Sequence, residues 1–113
     1  MIAKFEDMQE RKIPGLCGGA GTAGLTPLFG RGVLPLGAAR VTLEPGCSCG
    51  EHLHTEDSEI FYVLEGELTL LDDGAEYVLH PGDCEFCPAG HTHGAVNRSD
   101  RPAVYLAVTM PKE

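Results

Sequence analysis

Four side chains suited to hold a metal ion fall in two short stretches of the chain. The first runs Glu51-His52-Leu53-His54-Thr55-Glu56-Asp57-Ser58-Glu59. Side chains two apart in a strand share a face, so His52 and His54 aim both imidazoles at one point. Glu59 lies five residues after His54, an odd offset that a continuous strand would put on the opposite face. The turn-rich Thr55-Glu56-Asp57-Ser58 lets the chain bend and bring that carboxylate back inside. The second stretch, Pro88-Ala89-Gly90-His91-Thr92-His93, places His93 at the start of a strand, where it can supply a third imidazole. Neutral imidazoles with one carboxylate suit Fe, Mn, Ni, Co, Zn or Cu.

Such ligands need a rigid frame, and the chain is punctuated for one. Pro45-Gly46, Glu65-Gly66, Asp72-Asp73-Gly74, Pro81-Gly82 and Pro88-Ala89-Gly90 are turn signals. Between them, strands are expected over 38–43, 59–64, 67–71, 75–79, 84–87, 92–97 and 103–109. The pair around Asp72-Asp73-Gly74 reads as a hairpin. Many short strands without a helical period mean an all-β sandwich or barrel. Residues 1–13 read as a solvated leader, with one or two helical turns over 5–12. The glycines of 15–32 lack the strand-before, helix-after context of a nucleotide loop, and Pro27 opposes a following helix. They read instead as a loop leading to an edge strand that covers a barrel mouth or a partner subunit.

The 113 residues suffice for one domain. With 8 Lys and Arg against 17 Asp and Glu, the net charge is −9, a poor match for nucleic acid or an anionic membrane surface. No apolar run is long enough to span a bilayer. Acidic residues stand where an export signal would be apolar, and five cysteines form an odd set. Reduced thiols and a cytoplasmic location are the expectation.

The two stretches resemble the paired motifs of the cupin superfamily. Gly46, His52, His54, Glu59 and Gly66 meet the first motif, and Gly82, Pro88, Gly90, His93 and Asn97 meet the second, with residues 67–81 between them. The resemblance implies a double-stranded β-helix or jelly-roll barrel over 37–113, with 1–36 as an N-terminal extension. It implies one divalent transition metal held by His52, His54, Glu59 and His93, a structural role for Asn97, and a homodimer. Residues 15–36 would then serve the subunit contact. The implied activity is metal-dependent chemistry on a small molecule: oxygenation, isomerisation, or decarboxylation and lyase chemistry. The alternative is a non-catalytic cupin that binds a small ligand such as a sugar or organic acid.

Further candidates surround this set. Phe61, Val63 and Phe86 would wall the cavity if they face inward. Arg40 could clamp a carboxylate and Tyr105 could reach in from the last strand. His91 and Glu85 are candidate proton carriers. His91 is otherwise a loop histidine. Alternation sets Glu85 against Phe86, and the burial preference of Phe86 favours Glu85 outside. Cys47-x-Cys49 and Cys84-x2-Cys87 have zinc-like spacings. Strand parity nevertheless puts Cys84 and Cys87 on opposite faces, and a free Cys is a common small core residue.

Overall fold

The computed structural model describes residues 1–112. Ten strands make two facing sheets: β1 (Arg11–Pro14), β2 (Thr22–Pro27), β3 (Ala38–Leu43), β4 (Ser48–Leu53), β5 (Asp57–Glu65), β6 (Leu68–Asp72), β7 (Ala75–Leu79), β8 (Cys84–Cys87), β9 (Thr92–Val96) and β10 (Ala103–Pro111). The order is β1-β2-β3-β10-β5-β8 in one sheet and β4-β9-β6-β7 in the other, with every neighbouring pair antiparallel. The all-β jelly-roll expectation holds, as a sandwich whose sheets do not close on each other.

The apolar side chains of alternating positions fill the space between the sheets. Leu43, Val63, Leu68, Leu70, Ala95 and Ala103 are each at most 1% exposed, which makes this one continuous core. Val63 belongs to that core. The hairpin β6–β7 pairs Asp72 with Ala75, leaving Asp73 and Gly74 as its two-residue loop. Both have positive φ, 48° and 83°, the backbone that matches strand twist in a tight hairpin.

One expectation for the N-terminal part needs correcting. Helix over 5–12 is limited to a 3₁₀ turn at Phe5–Asp7, and Arg11–Pro14 is a strand. The extended partner β2 offers backbone hydrogen bonds that a short solvated helix cannot match, and Pro14 could not continue one. Residues 1–36 therefore add two strands to the large sheet, with β2 laid along β3.

Between Cys49 and His52 the β4–β9 register shifts: Cys49 faces Ala95 and His52 faces His93. One extra residue on β4 makes this a bulge. It changes the strand's phase, so Cys49 and His52 both point inward despite their odd offset.

Candidate metal centre

Three sheet positions and one bend deliver the four donors. His52 on β4 faces His93 on β9 directly. His54 follows the end of β4. Its backbone N–H donates to His91 O (3.1 Å) and its carbonyl accepts from Gly90 N–H (2.6 Å). Glu59 sits on β5, which starts at Asp57, so the turn after His54 returns the carboxylate to the same interior. His93 Nε2 lies 3.1 Å from both His52 Nε2 and His54 Nε2 and 3.0 Å from Glu59 Oε1. Glu59 Oε1 is 3.1 Å from His54 Nε2 and 3.6 Å from His52 Nε2.

The other ring nitrogens explain why these atoms can sit so close. Each Nδ1 faces an oxygen: Gly50 O for His52 (2.8 Å), Asp57 Oδ1 for His54 (2.7 Å) and Glu85 Oε1 for His93 (2.9 Å). A carbonyl or carboxylate only accepts, so neutral rings carry their protons on Nδ1 and present bare Nε2 lone pairs. Three lone pairs and a carboxylate oxygen then face one another with no proton between them. A cation resolves that repulsion. With bonds of about 2.1 Å, adjacent ligands stand roughly 3.0 Å apart around an octahedral ion and roughly 3.4 Å around a tetrahedral one. The observed separations fit, so these four residues could hold a divalent metal.

Residues outside the four complete the frame. Thr109 Oγ1 donates to Glu59 Oε2 at 3.1 Å. Phe61 stacks on the His93 ring, with centroids 4.3 Å apart. A cavity of about 420 Å³ opens onto His52, His54 and Glu59, walled by Val41, Phe61, Tyr105 and Ala107. The Tyr105 hydroxyl is buried, beside the Cys49 thiol, and makes no geometrically good hydrogen bond among the described residues.

The structure rearranges several sequence-level expectations. Glu85 is inside, at 8% exposure, and Phe86 is outside, at 52%. Residues paired across a ladder share a face, and Glu85 pairs with the inward Phe61. Glu85 also reaches His93 rather than the cavity, so it orients a ligand and does not face a substrate. His91 points outward and pairs with Asp73. Arg40 bonds Glu65 at 3.3 Å and lies over the Phe5 ring, away from the cavity. Among the pocket candidates, Phe61 and Tyr105 line the cavity, whereas Val63 and Phe86 do not. Cys84 and Cys87 lie on opposite faces, so no thiolate site unites them with Cys47 and Cys49. Sequence reasoning missed Asp57, whose signal was its place three residues after His54, and Thr109, which had no local signal.

Residues 39–109 match the Cupin domain family. The chain belongs to the cupin family. This cupin is 30% identical to an oxalate-binding protein of Thermotoga maritima, over 97% of its own length and 93% of the relative's. A solved structure described as a predicted oxalate decarboxylase, also from Thermotoga maritima, superposes with a TM-score of 0.93 at 28% identity, covering 98% of this chain and 99% of that one. A cupin described as a sugar phosphate isomerase, from Silicibacter pomeroyi, gives a TM-score of 0.82 at 33% identity, covering 99% of this chain and 76% of that one. Among the described residues of the cupin, no helix is long and apolar enough to cross a membrane.

In the ion-free cupin, protons stand in for the cation. A hydrogen bond to the Cys17 thiolate, then one to Glu59, pushes His52 up to about 10. Burial opposes protonation of His93, but its bonds to Glu59 and Glu85 outweigh burial and raise it. Burial would raise Glu59, yet the bonds from His52 and His93 hold it down to about 2. The raised imidazoles stabilise the ion-free fold below the ordinary imidazole value, and the His52 share of this gain is lost as pH climbs through about 10. The Glu59 gain is present above the ordinary carboxylate value and is lost as pH falls through about 2. A metal must expel the imidazole protons, so affinity rises with pH across the neutral range. Calorimetry of Mn²⁺ binding in two buffers of different ionisation enthalpy should register proton release near neutral pH. Equal heats in both buffers would contradict this protonation state.

Glu85→Gln tests the orienting role separately. The amide keeps the shape but no longer guarantees an acceptor for His93 Nδ1–H. Metal affinity should fall roughly 10- to 100-fold, while the far-ultraviolet circular dichroism is unchanged.

Proposed function

We propose that the cupin holds one divalent transition metal on His52, His54, Glu59 and His93, and that a small chelating organic acid binds the positions these ligands leave open. The observation that carries this is the convergence of three Nε2 lone pairs and one carboxylate oxygen, each imidazole tied by its other nitrogen. Four ligands leave room on an ion that takes five or six. Two carboxylate oxygens of one ligand would fill adjacent positions. The likeness to an oxalate-binding protein supports an acid of that kind. So does the placement of Arg11 and Arg31, which are exposed and line the same cavity. They offset, at the entrance, the repulsion that a net charge of −9 imposes on an anion.

A second reading is turnover of that ligand, of dioxygenase, isomerase or decarboxylase type. The unpartnered Tyr105 hydroxyl favours it, as a buried polar group on the cavity wall. With Glu85 and His91 turned elsewhere, Tyr105 is the candidate that still lines the cavity. Bound metal would supply Lewis-acid or redox chemistry, and its identity separates the reactions: Fe or Cu points to oxygenation, Zn or Mn to isomerase or lyase chemistry.

Elemental analysis of the purified protein should find one metal per chain. Oxalate titrated into the Mn²⁺-loaded protein should give heat that disappears in His52→Ala. A metal-free protein that refuses Mn²⁺, or an oxalate heat indifferent to His52→Ala, would overturn the reading. Tyr105→Phe removes only the orphan hydroxyl. A purely structural Tyr105 gives a variant as stable or more stable, with oxalate affinity intact; a ligand-facing one loses roughly tenfold in affinity, as for one hydrogen bond of about 1.4 kcal/mol.

We also propose a homodimer. Its support is the exposure of Val33, Leu34 and Leu36 in the segment between β2 and β3. Light scattering at micromolar concentration should return twice the chain mass.

A further inference from the structure

Two thiols stand beside the metal centre and take no part in it. Cys17, on the 3₁₀ turn Leu16–Gly18, and Cys49, on β4, form a second cluster with His52, and their donor atoms all lie within 4.8 Å of one another. Neither sulfur belongs to the set of His54, Glu59 and His93. Both line the cavity, Cys17 exposed and Cys49 buried.

The chain goes to some length to hold Cys17 there. Its φ is 51°, a left-handed conformation that costs a non-glycine residue about 1 kcal/mol or more. The turn is clamped to β4 by Ser48 N–H donating to Ala20 O (2.9 Å) and Ala20 N–H donating to Ser48 Oγ (2.7 Å). Glycines permit this approach. A Cβ at Gly50 would stand 2.2 Å from Cys17 O, and one at Gly19 would stand 2.1 Å from Ser48 O. The Gly-rich segment is thus a docked device that delivers one thiol to another thiol and an imidazole.

We infer that Cys17, Cys49 and His52 form a second metal site, selective for thiophilic ions such as Zn²⁺, Cd²⁺ or Cu⁺, which competes with the first centre for His52. Two thiolates and an imidazole are soft ligands, whereas three imidazoles and a carboxylate suit harder ions. Binding expels the Cys49 thiol proton and, in metal-free protein, the His52 Nε2 proton to solvent. The competition follows from one ring. His52 Nδ1–H is donated to Gly50 O, which leaves Nε2 as its single lone pair. One lone pair serves one ion, so filling the thiol site strips the first centre of a ligand. The thiol site does not depend on the proposed metal binding at the first centre; the competition does.

The test titrates Cd²⁺ into reduced protein saturated with Mn²⁺. Two signals are followed: thiolate-to-cadmium charge-transfer absorption and the electron paramagnetic resonance of released Mn²⁺. The expected result is that both rise together, one Mn²⁺ freed per Cd²⁺ bound. Absorption without Mn²⁺ release would overturn the sharing of His52, and Mn²⁺ release without absorption would overturn the thiol site. Cys17→Ser, exposed and safe for the fold, should abolish the absorption, whereas Cys84→Ser should leave it intact. Persistence in Cys17→Ser would assign the thiolates elsewhere. In metal-free protein, His52→Ala should weaken Cd²⁺ binding at least roughly tenfold. That measurement stands even if Mn²⁺ never binds, so failure of the first centre and failure of this one are told apart.

Discussion

His93→Ala should abolish stoichiometric Mn²⁺ binding, with affinity falling more than roughly 100-fold, beyond what losing a mere orienting partner costs. His93 touches every other donor of the set, and its Nε2 is within 3.1 Å of three of them. Truncation removes the hub of the cluster. It also strands Glu85, whose carboxylate is 6% exposed and whose recorded partner is His93. An uncompensated buried carboxylate, with a cavity where a fully buried ring had stacked on Phe61, should cost about 3 kcal/mol or more. Metal loss could therefore be mistaken for unfolding. His52→Ala separates the two, because His52 is about a quarter exposed and its Nδ1 bonds a backbone carbonyl rather than a buried charge. It should lose metal with a much smaller shift in melting temperature. A His93→Ala protein that still binds one Mn²⁺ tightly per chain would refute the centre.

The second large effect lies away from the metal. Asn97 is fully buried, and all its side-chain bonding capacity is used. Its Nδ2 donates to Leu43 O (2.8 Å) and Arg101 O (2.7 Å), and its Oδ1 accepts from Ser99 N–H (2.9 Å) and Ser99 Oγ–H (2.7 Å). The side chain staples the end of β3 to the loop that leads into β10. Asn97→Ala leaves the buried Leu43 carbonyl short of a mate at about 1–3 kcal/mol and frees the half-buried Arg101 and Ser99 groups at less, so a net loss of about 3 kcal/mol is expected. For a chain of this size that lowers the melting temperature by roughly 10 °C or more. The comparison belongs in metal-free buffer, since a bound ion would raise both melts. Metal affinity of the folded variant should match the parent, because Asn97 does not reach the four donors. A melt within about 2 °C of the parent would contradict this role.

How much of this was legible beforehand follows physical lines. His52 and His54 could be paired from strand parity, and Glu59 could be returned to them through the turn between, because those relations are local. The hairpin at Asp73-Gly74 was legible for the same reason: its backbone demands particular residues. Strand alternation correctly set Glu85 and Phe86 on opposite faces. It could not say which face was inside, because alternation has two phases of equal local merit. The side-chain burial preference of Phe86 pointed the wrong way.

The sequence by itself determined the donors, the strand-and-turn rhythm and the family, since residue type and short spacing carry all three. Only the tertiary structure decided the phase of β8, through its register against β5, and the phase of β4, through a bulge that no residue type announces. Only it brought Cys17 to Cys49 and His52, across more than thirty residues. Contacts of that range depend on which strands pair and where, and pairing is settled by the whole core at once rather than by any stretch of chain.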